Sequence, residues 1–158
     1  KKSKSEIIAH RIELRERKHC MPFSEENAAL YNITHEYGHM IQNNLIQQRM
    51  IEKGLDLSTP EMFVDTAKLK AKNPYVRREA YAWYSKTKLE VAKECKNEII
   101  EIAKQNNPNF DYISNISKYG ENDSVEFFAE VFANSQLGKP TELGDAINIW
   151  LKRREIVQ

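Results

Sequence analysis

The sequence predicts a mainly α-helical single domain, and three observations carry that expectation. Apolar residues recur at i, i+3, i+4 and i+7 along several segments. Those segments are bounded by capping residues and prolines of the kind that start and stop helices. Period-two alternation, the mark of a half-buried strand, is confined to residues 7–16, and glycine is scarce, at 5 of 158 residues.

Residues 1–19 open the chain with a basic, ambiguous stretch. Ser3 and Glu6 make a capping-box pair, and Ile7, Ile8 and Ile12 would line one helical face. Ile12 and Leu14 also alternate with charges, as on an edge strand. Helix is the reading taken here, with at most a small β element near the N-terminus. Pro22-Phe23-Ser24 then punctuates the chain. Ser24 is a good N-cap, and Glu25 and Glu26 suit the positive end of a helix dipole. Leu30, Ile33, Tyr37, Met40, Ile41 and Leu45 follow at helical spacing. That helix is expected to close near Lys53, with Gly54 at C′. Thr59-Pro60-Glu61 starts another, which runs to about Lys72 and stops at Asn73-Pro74. A long amphipathic helix is expected from about Val76 to Gln105, ended by Asn106-Asn107-Pro108. Tyr81, Trp83 and Tyr84 on it suit core packing. Residues 109–122 are rich in turn formers and poor in periodicity, which predicts a loop with one short turn at most. Asn122 or Asp123 caps a helix from Ser124 to about Ser135. Gly138-Lys139-Pro140-Thr141 breaks it, and a last helix covers about Glu142 to Arg153, with Trp150 facing the core.

Composition sets further bounds. Hydrophobic residues make up 41% of the chain and charged residues 30%, which is globular rather than disordered. The 24 basic and 23 acidic residues nearly cancel, to a net charge of +1. That balance offers no electrostatic basis for binding nucleic acid or an anionic membrane. No apolar run approaches the length of a bilayer span. Residues 1–158 read as one domain with a real core. The chain opens at Lys1 with no signal-peptide pattern, so it reads as a piece of a longer protein, with possible further domains. Cys20 and Cys95 lie far apart and form no C-x-x-C pair. They read as two reduced thiols of a cytoplasmic-type protein, a single disulfide between them being the alternative.

Thr34-His35-Glu36-Tyr37-Gly38-His39 contains H-E-x-x-H in a helical segment. Residues four apart share a helix face, so His35 and His39 would grip one ion. Glu36 is close enough to that face to hold a water on the same ion. Two neutral imidazoles and a carboxylate base begin a zinc hydrolase site. Gly38 inside the motif costs a helix about 1 kcal/mol against Ala, so another segment is expected to pack closely there. The longer H-E-x-x-H-x-x-G-x-x-H pattern is not present, since Met40-Ile41-Gln42-Asn43-Asn44 follow His39. His10 and His19 lie upstream, in the ambiguous segment. A carboxylate from a second helix is the natural third ligand.

Ser124-Val125-Glu126-Phe127-Phe128-Ala129-Glu130-Val131-Phe132-Ala133 supplies candidates. Its aromatic and branched residues mark a deeply buried helix, and Glu126 and Glu130 share one face. Buried carboxylates are costly unless paired or bound to a cation. One glutamate on the metal and the other on an imidazole N–H would satisfy both.

Together, His35-Glu36-Tyr37-Gly38-His39, Tyr119-Gly120 and Glu126-Phe127-Phe128-Ala129-Glu130 resemble the gluzincin zinc metallopeptidases. The likeness is to catalytic domains of the anthrax lethal factor type and to metallopeptidase-like domains of phage head-morphogenesis proteins. It covers roughly 40 residues, counted over the two helices and the preceding loop. It implies a zincin-like core, an active-site helix plus a glutamate helix, holding Zn2+ through His35, His39 and Glu126. It implies Glu36 as general base, Tyr119 as the oxyanion donor and Glu130 as the carboxylate orienting a histidine ligand. The family carries a small sheet ahead of the active helix, whose edge strand receives the substrate backbone. Residues 7–16 are this chain's candidate for it. The expected function is a zinc-dependent endopeptidase acting on a peptide or protein, in the cytoplasm or a virion. The alternative is a zinc-binding structural or interaction domain of a phage head protein, with weak or no peptidase activity. A closed structural zinc site needs a fourth protein ligand, and the sequence offers none.

Overall fold

Helices dominate because most segments carry both an apolar face and a side-chain cap. The computed structural model describes residues 3–53, 74–137 and 140–156. Its elements are α1 (Lys4–Glu16), a 3-10 turn (Glu25–Asn27), α2 (Tyr31–Glu52), α3 (Pro74–Asn106), α4 (Tyr112–Asn115), α5 (Lys118–Asn122), α6 (Ser124–Gln136) and α7 (Glu142–Arg153). No strand occurs among the described residues. The helix expected over residues 59–72, Gly54 at C′, the Gly138-Lys139 break and the Tyr81 side chain lie outside what is described.

The candidate strand at 7–16 is helical. Ser3 accepts from the Glu6 N–H at 3.3 Å and its own N–H donates to the Glu6 carboxylate at 2.6 Å, closing the capping box. The far end closes as a Schellman motif. Lys18 takes the left-handed conformation (φ 55°), its N–H bonds the Arg15 carbonyl and the His19 N–H bonds that of Leu14. α7 ends the same way at Glu155 (φ 54°).

α2 starts later than the cap at Ser24 suggests. The chain first makes the 3-10 turn, because Phe23 and Ala28 are fully buried beside Tyr31, Ala133 and Leu137. Asn27 donates to the Leu137 carbonyl at 2.9 Å, which anchors the turn to the end of α6. The loop expected over 109–122 is instead two short helices. Asp111 caps α4 through the Ile113 N–H, and Ser117 caps α5 through the Gly120 N–H. Both are too short to show a period.

α6 is the centre of the molecule. Asp123 caps it, accepting from the Val125 N–H at 2.7 Å. Residues Phe127 to Asn134 are all buried. α6 packs against α2, α3, α5 and α7. Phe127, Phe128 and Val131 join Ile46, Ile99, Leu143, Ile147 and Trp150 in the main core. Full burial of each such side chain contributes about 1.5–3 kcal/mol. Trp150 is 5.5 Å from Phe128, edge to face, and donates to Glu98. Trp83 and Tyr84 pack on this core from α3. Arg49 of α2 and Lys53, its C-cap, pair with Glu94 and Glu90 of α3. Cys20 and Cys95 are free thiols, and burial pushes both up to about 12.

Candidate metal centre

α2 and α6 meet where α2 lacks a side chain. A Cβ on Gly38 would lie 2.9 Å from the Ala129 Cα and 3.3 Å from the Phe132 Cβ. This is the close packing that an interior glycine in the motif predicts. The contact places the turn carrying His35 and His39 against the first turns of α6, which carry Glu126 and Glu130.

His35 Nε2 lies 3.1 Å from one Glu126 oxygen, and His39 Nε2 lies 3.6 Å from the other. One ligand atom from each of the three residues falls within 4.8 Å of the others. Zinc bonds to nitrogen and oxygen at about 2.0–2.1 Å, so ligand atoms at the corners of a tetrahedron stand about 3.3 Å apart. The two nearer separations bracket that value. The rings are 4.8 Å apart and nearly perpendicular, at 83°. The two short distances run to different Glu126 oxygens, and the three side chains together form a group that could hold a metal ion. The site is half-buried, with the three side chains 14%, 21% and 29% exposed.

Behind His35 stands Glu130, 2% exposed. One of its oxygens lies 3.0 Å from His35 Nδ1, in a bent geometry rather than an aligned hydrogen bond. The other accepts the Met21 N–H at 2.7 Å and the Ser117 hydroxyl at 3.1 Å. A carboxylate on the far nitrogen of a metal-binding imidazole fixes which nitrogen faces the metal. This placement separates the two glutamates, with Glu126 on the open side and Glu130 in the core.

The electrostatics suit a cation. Burial alone would push His35 down, but contact with Glu130 and the charges of Glu130, Glu126 and Glu36 outweigh it and raise it. His39 is pushed down by burial and by the neighbouring His35, against the pull of Glu126 and Glu36. Tyr31, one turn before His35, is buried, and burial together with the Glu130 charge keeps its hydroxyl protonated.

Glu36 is exposed, and its carboxylate makes no hydrogen bond or ion pair among the described residues. Tyr119 is 56% exposed on α5, just before α6. Its backbone N–H donates to the His19 carbonyl at 3.3 Å, and its hydroxyl bonds none of the three ligands. The structure thus brings His35, His39, Glu126 and Glu130 together and leaves Glu36 and Tyr119 free towards solvent. His10 faces Glu13 on exposed α1, away from this group. Ser117, Met21 and Tyr31 escape a reading of the sequence. A Ser three residues before a Gly marks a cap, but nothing in it points to Glu130. No family model, curated protein or solved structure matches the chain. No helix among the described residues is long and apolar enough to cross a membrane.

Proposed function

We propose that the chain is a zinc-dependent metallopeptidase that hydrolyses a peptide bond with water. The observation that carries this reading is the convergence of His35, His39 and Glu126, backed by buried Glu130 on His35. The three side chains would hold Zn2+, which when bound supplies a Lewis acid that acidifies water and polarises a carbonyl. Glu36, one residue after His35 and without a hydrogen-bond or ion-pair partner among the described residues, takes the proton from the attacking water and passes it to the leaving amine. Tyr119, free at its hydroxyl, donates to the oxygen that gains charge as the carbonyl is attacked. Glu130 holds the His35 ring in place. The substrate class is a peptide or protein segment that reaches the open side of the site. The division of labour supports this reading. The side chains assigned to hold the ion are half-buried and paired, while those assigned to the reacting groups are exposed and without a side-chain partner among the described residues.

The test is metal analysis together with hydrolysis of a peptide library. The zinc-loaded protein should hold about one ion per chain, from one ligand set. Glu36→Gln should keep that ion and lose hydrolysis by about 10²-fold or more. A Glu36→Gln variant as active as the parent would remove Glu36 as base. Zinc held with no Glu36-dependent hydrolysis would instead fit a zinc-binding interaction domain.

A further inference from the structure

We propose that Ser117 is a positioning residue of the metal centre. It sets His35 through Glu130 and at the same time ties the turn that carries Tyr119 to that pair. The proposal rests on the reading of His35 as a metal ligand and concerns a residue that the motif does not contain.

Ser117 is 2% exposed. A hydroxyl has one proton to give and lone pairs to receive. Here the proton goes to Glu130 Oε2 at 3.1 Å, and a lone pair takes the Gly120 N–H at 3.1 Å. The side chain is therefore a joint between the start of α5 and the buried carboxylate. Glu130 Oε2 holds a second donor, the Met21 N–H at 2.7 Å. Two donors on one oxygen fix the plane of the carboxylate and aim Oε1 at His35 Nδ1, 3.0 Å away. With a proton on Nδ1, the Nε2 lone pair is left for the face shared with Glu126 and His39.

The backbone reinforces the joint. The Lys118 and Tyr119 N–H groups donate to the Lys18 and His19 carbonyls, at 3.0 and 3.3 Å. The segment that gives Met21 to Glu130 thus also holds the turn bearing Tyr119. Those carbonyls are presented by the left-handed residue Lys18 at the end of α1. Losing the Ser117 hydroxyl leaves Glu130 Oε2 with one backbone donor, the Met21 N–H, and loosens the hold on the plane of the carboxylate.

The test uses Ser117→Ala, Ser117→Gly and Ser117→Thr in the full chain. Glycine is tolerated at a helix N-cap, so Ser117→Gly removes the donor while keeping the start of α5. Three readouts are taken: zinc Kd by chelator competition, the visible spectrum of the Co2+ form, and the His35 side-chain 15N shifts in metal-free protein at alkaline pH. Both donor-deleting variants should weaken zinc about 10- to 100-fold, shift the Co2+ bands and lower the Nδ1–H share of the His35 ring. Ser117→Thr should restore all three. Wild-type Kd, bands and tautomer in both deletions, with only a lower melting temperature, would reduce Ser117 to a helix cap and overturn the proposal. A wild-type chain that binds no zinc would sink the peptidase reading, and the tautomer readout would still decide the role of Ser117.

Discussion

Glu130 is a carboxylate in the core, tolerated because both of its oxygens are occupied. Glu130→Ala leaves the Met21 N–H and the Ser117 hydroxyl buried without a partner. Each such orphan costs about 1–3 kcal/mol. Urea unfolding of the variant should therefore show a loss of roughly 2–6 kcal/mol on the same cost per group, and an unchanged midpoint would contradict the bonding described. Tyr119→Phe keeps the ligand set and removes one donor to the reacting oxygen. It should bind zinc normally and lower kcat, by about 10²–10³ if Tyr119 acts as an oxyanion donor, with KM little changed. An unaltered rate would take Tyr119 out of the mechanism. The candidate ligands were legible as two local pairs, although 91 residues separate His35 from Glu126. His35 and His39 are one turn apart, and so are Glu126 and Glu130. What fixes Glu130 was not legible: Met21 lies 109 residues away and Ser117 lies 13. Nothing local marks either as a partner.

Among the elements, the crossing of α2 and α6 decides most. Gly38 lets the two helices approach to where a methyl would meet the Ala129 backbone at 2.9 Å. A backbone atom cannot swing aside as the tip of a long side chain does. Gly38→Ala should gain about 1 kcal/mol of helix propensity and lose more by overpacking, typically 1–3 kcal/mol. The expected result is a lower unfolding midpoint together with weaker zinc binding, since α2 and α6 each carry candidate ligands. A variant more stable than the parent with equal affinity would show that the crossing has room. Elements with a side-chain cap next to the periodic run were readable: α6 behind Asp123 and α7 behind Thr141 fall where the sequence puts them. α2 was misplaced at its start because Ser24 has cap chemistry, while burial of Phe23 and Ala28 spends those residues on a 3-10 turn. α4 and α5 span one turn each, too short for any period, so only their capping residues signalled them. The ambiguous N-terminal segment resolved to helix because its capping box and Schellman end both close.

At the scale of the whole molecule, the candidate site joins the most buried helix to the long α2. A ligand that binds only the folded arrangement stabilises it by mass action, about 2.7 kcal/mol at a free concentration 100 times Kd. The unfolded chain still carries His35 and His39 one helical turn apart in sequence, but Glu126 is 91 residues from His35. Its share of the binding therefore exists only when α6 is docked. For a domain of 158 residues, each kcal/mol shifts the melting temperature by about 2–4 °C. Saturating zinc should thus raise it by roughly 5–10 °C on that scaling. The gain should vanish with a chelator. In Glu126→Ala it should shrink, because the two imidazoles that remain are close together even in the unfolded chain. The discriminating measurement is the melting temperature against free zinc for both proteins. Equal shifts in the two would mean that the ion binds the imidazoles alone and that α6 does not take part. A shift confined to the parent protein would mean that the ion reports on the docking of α6 against α2.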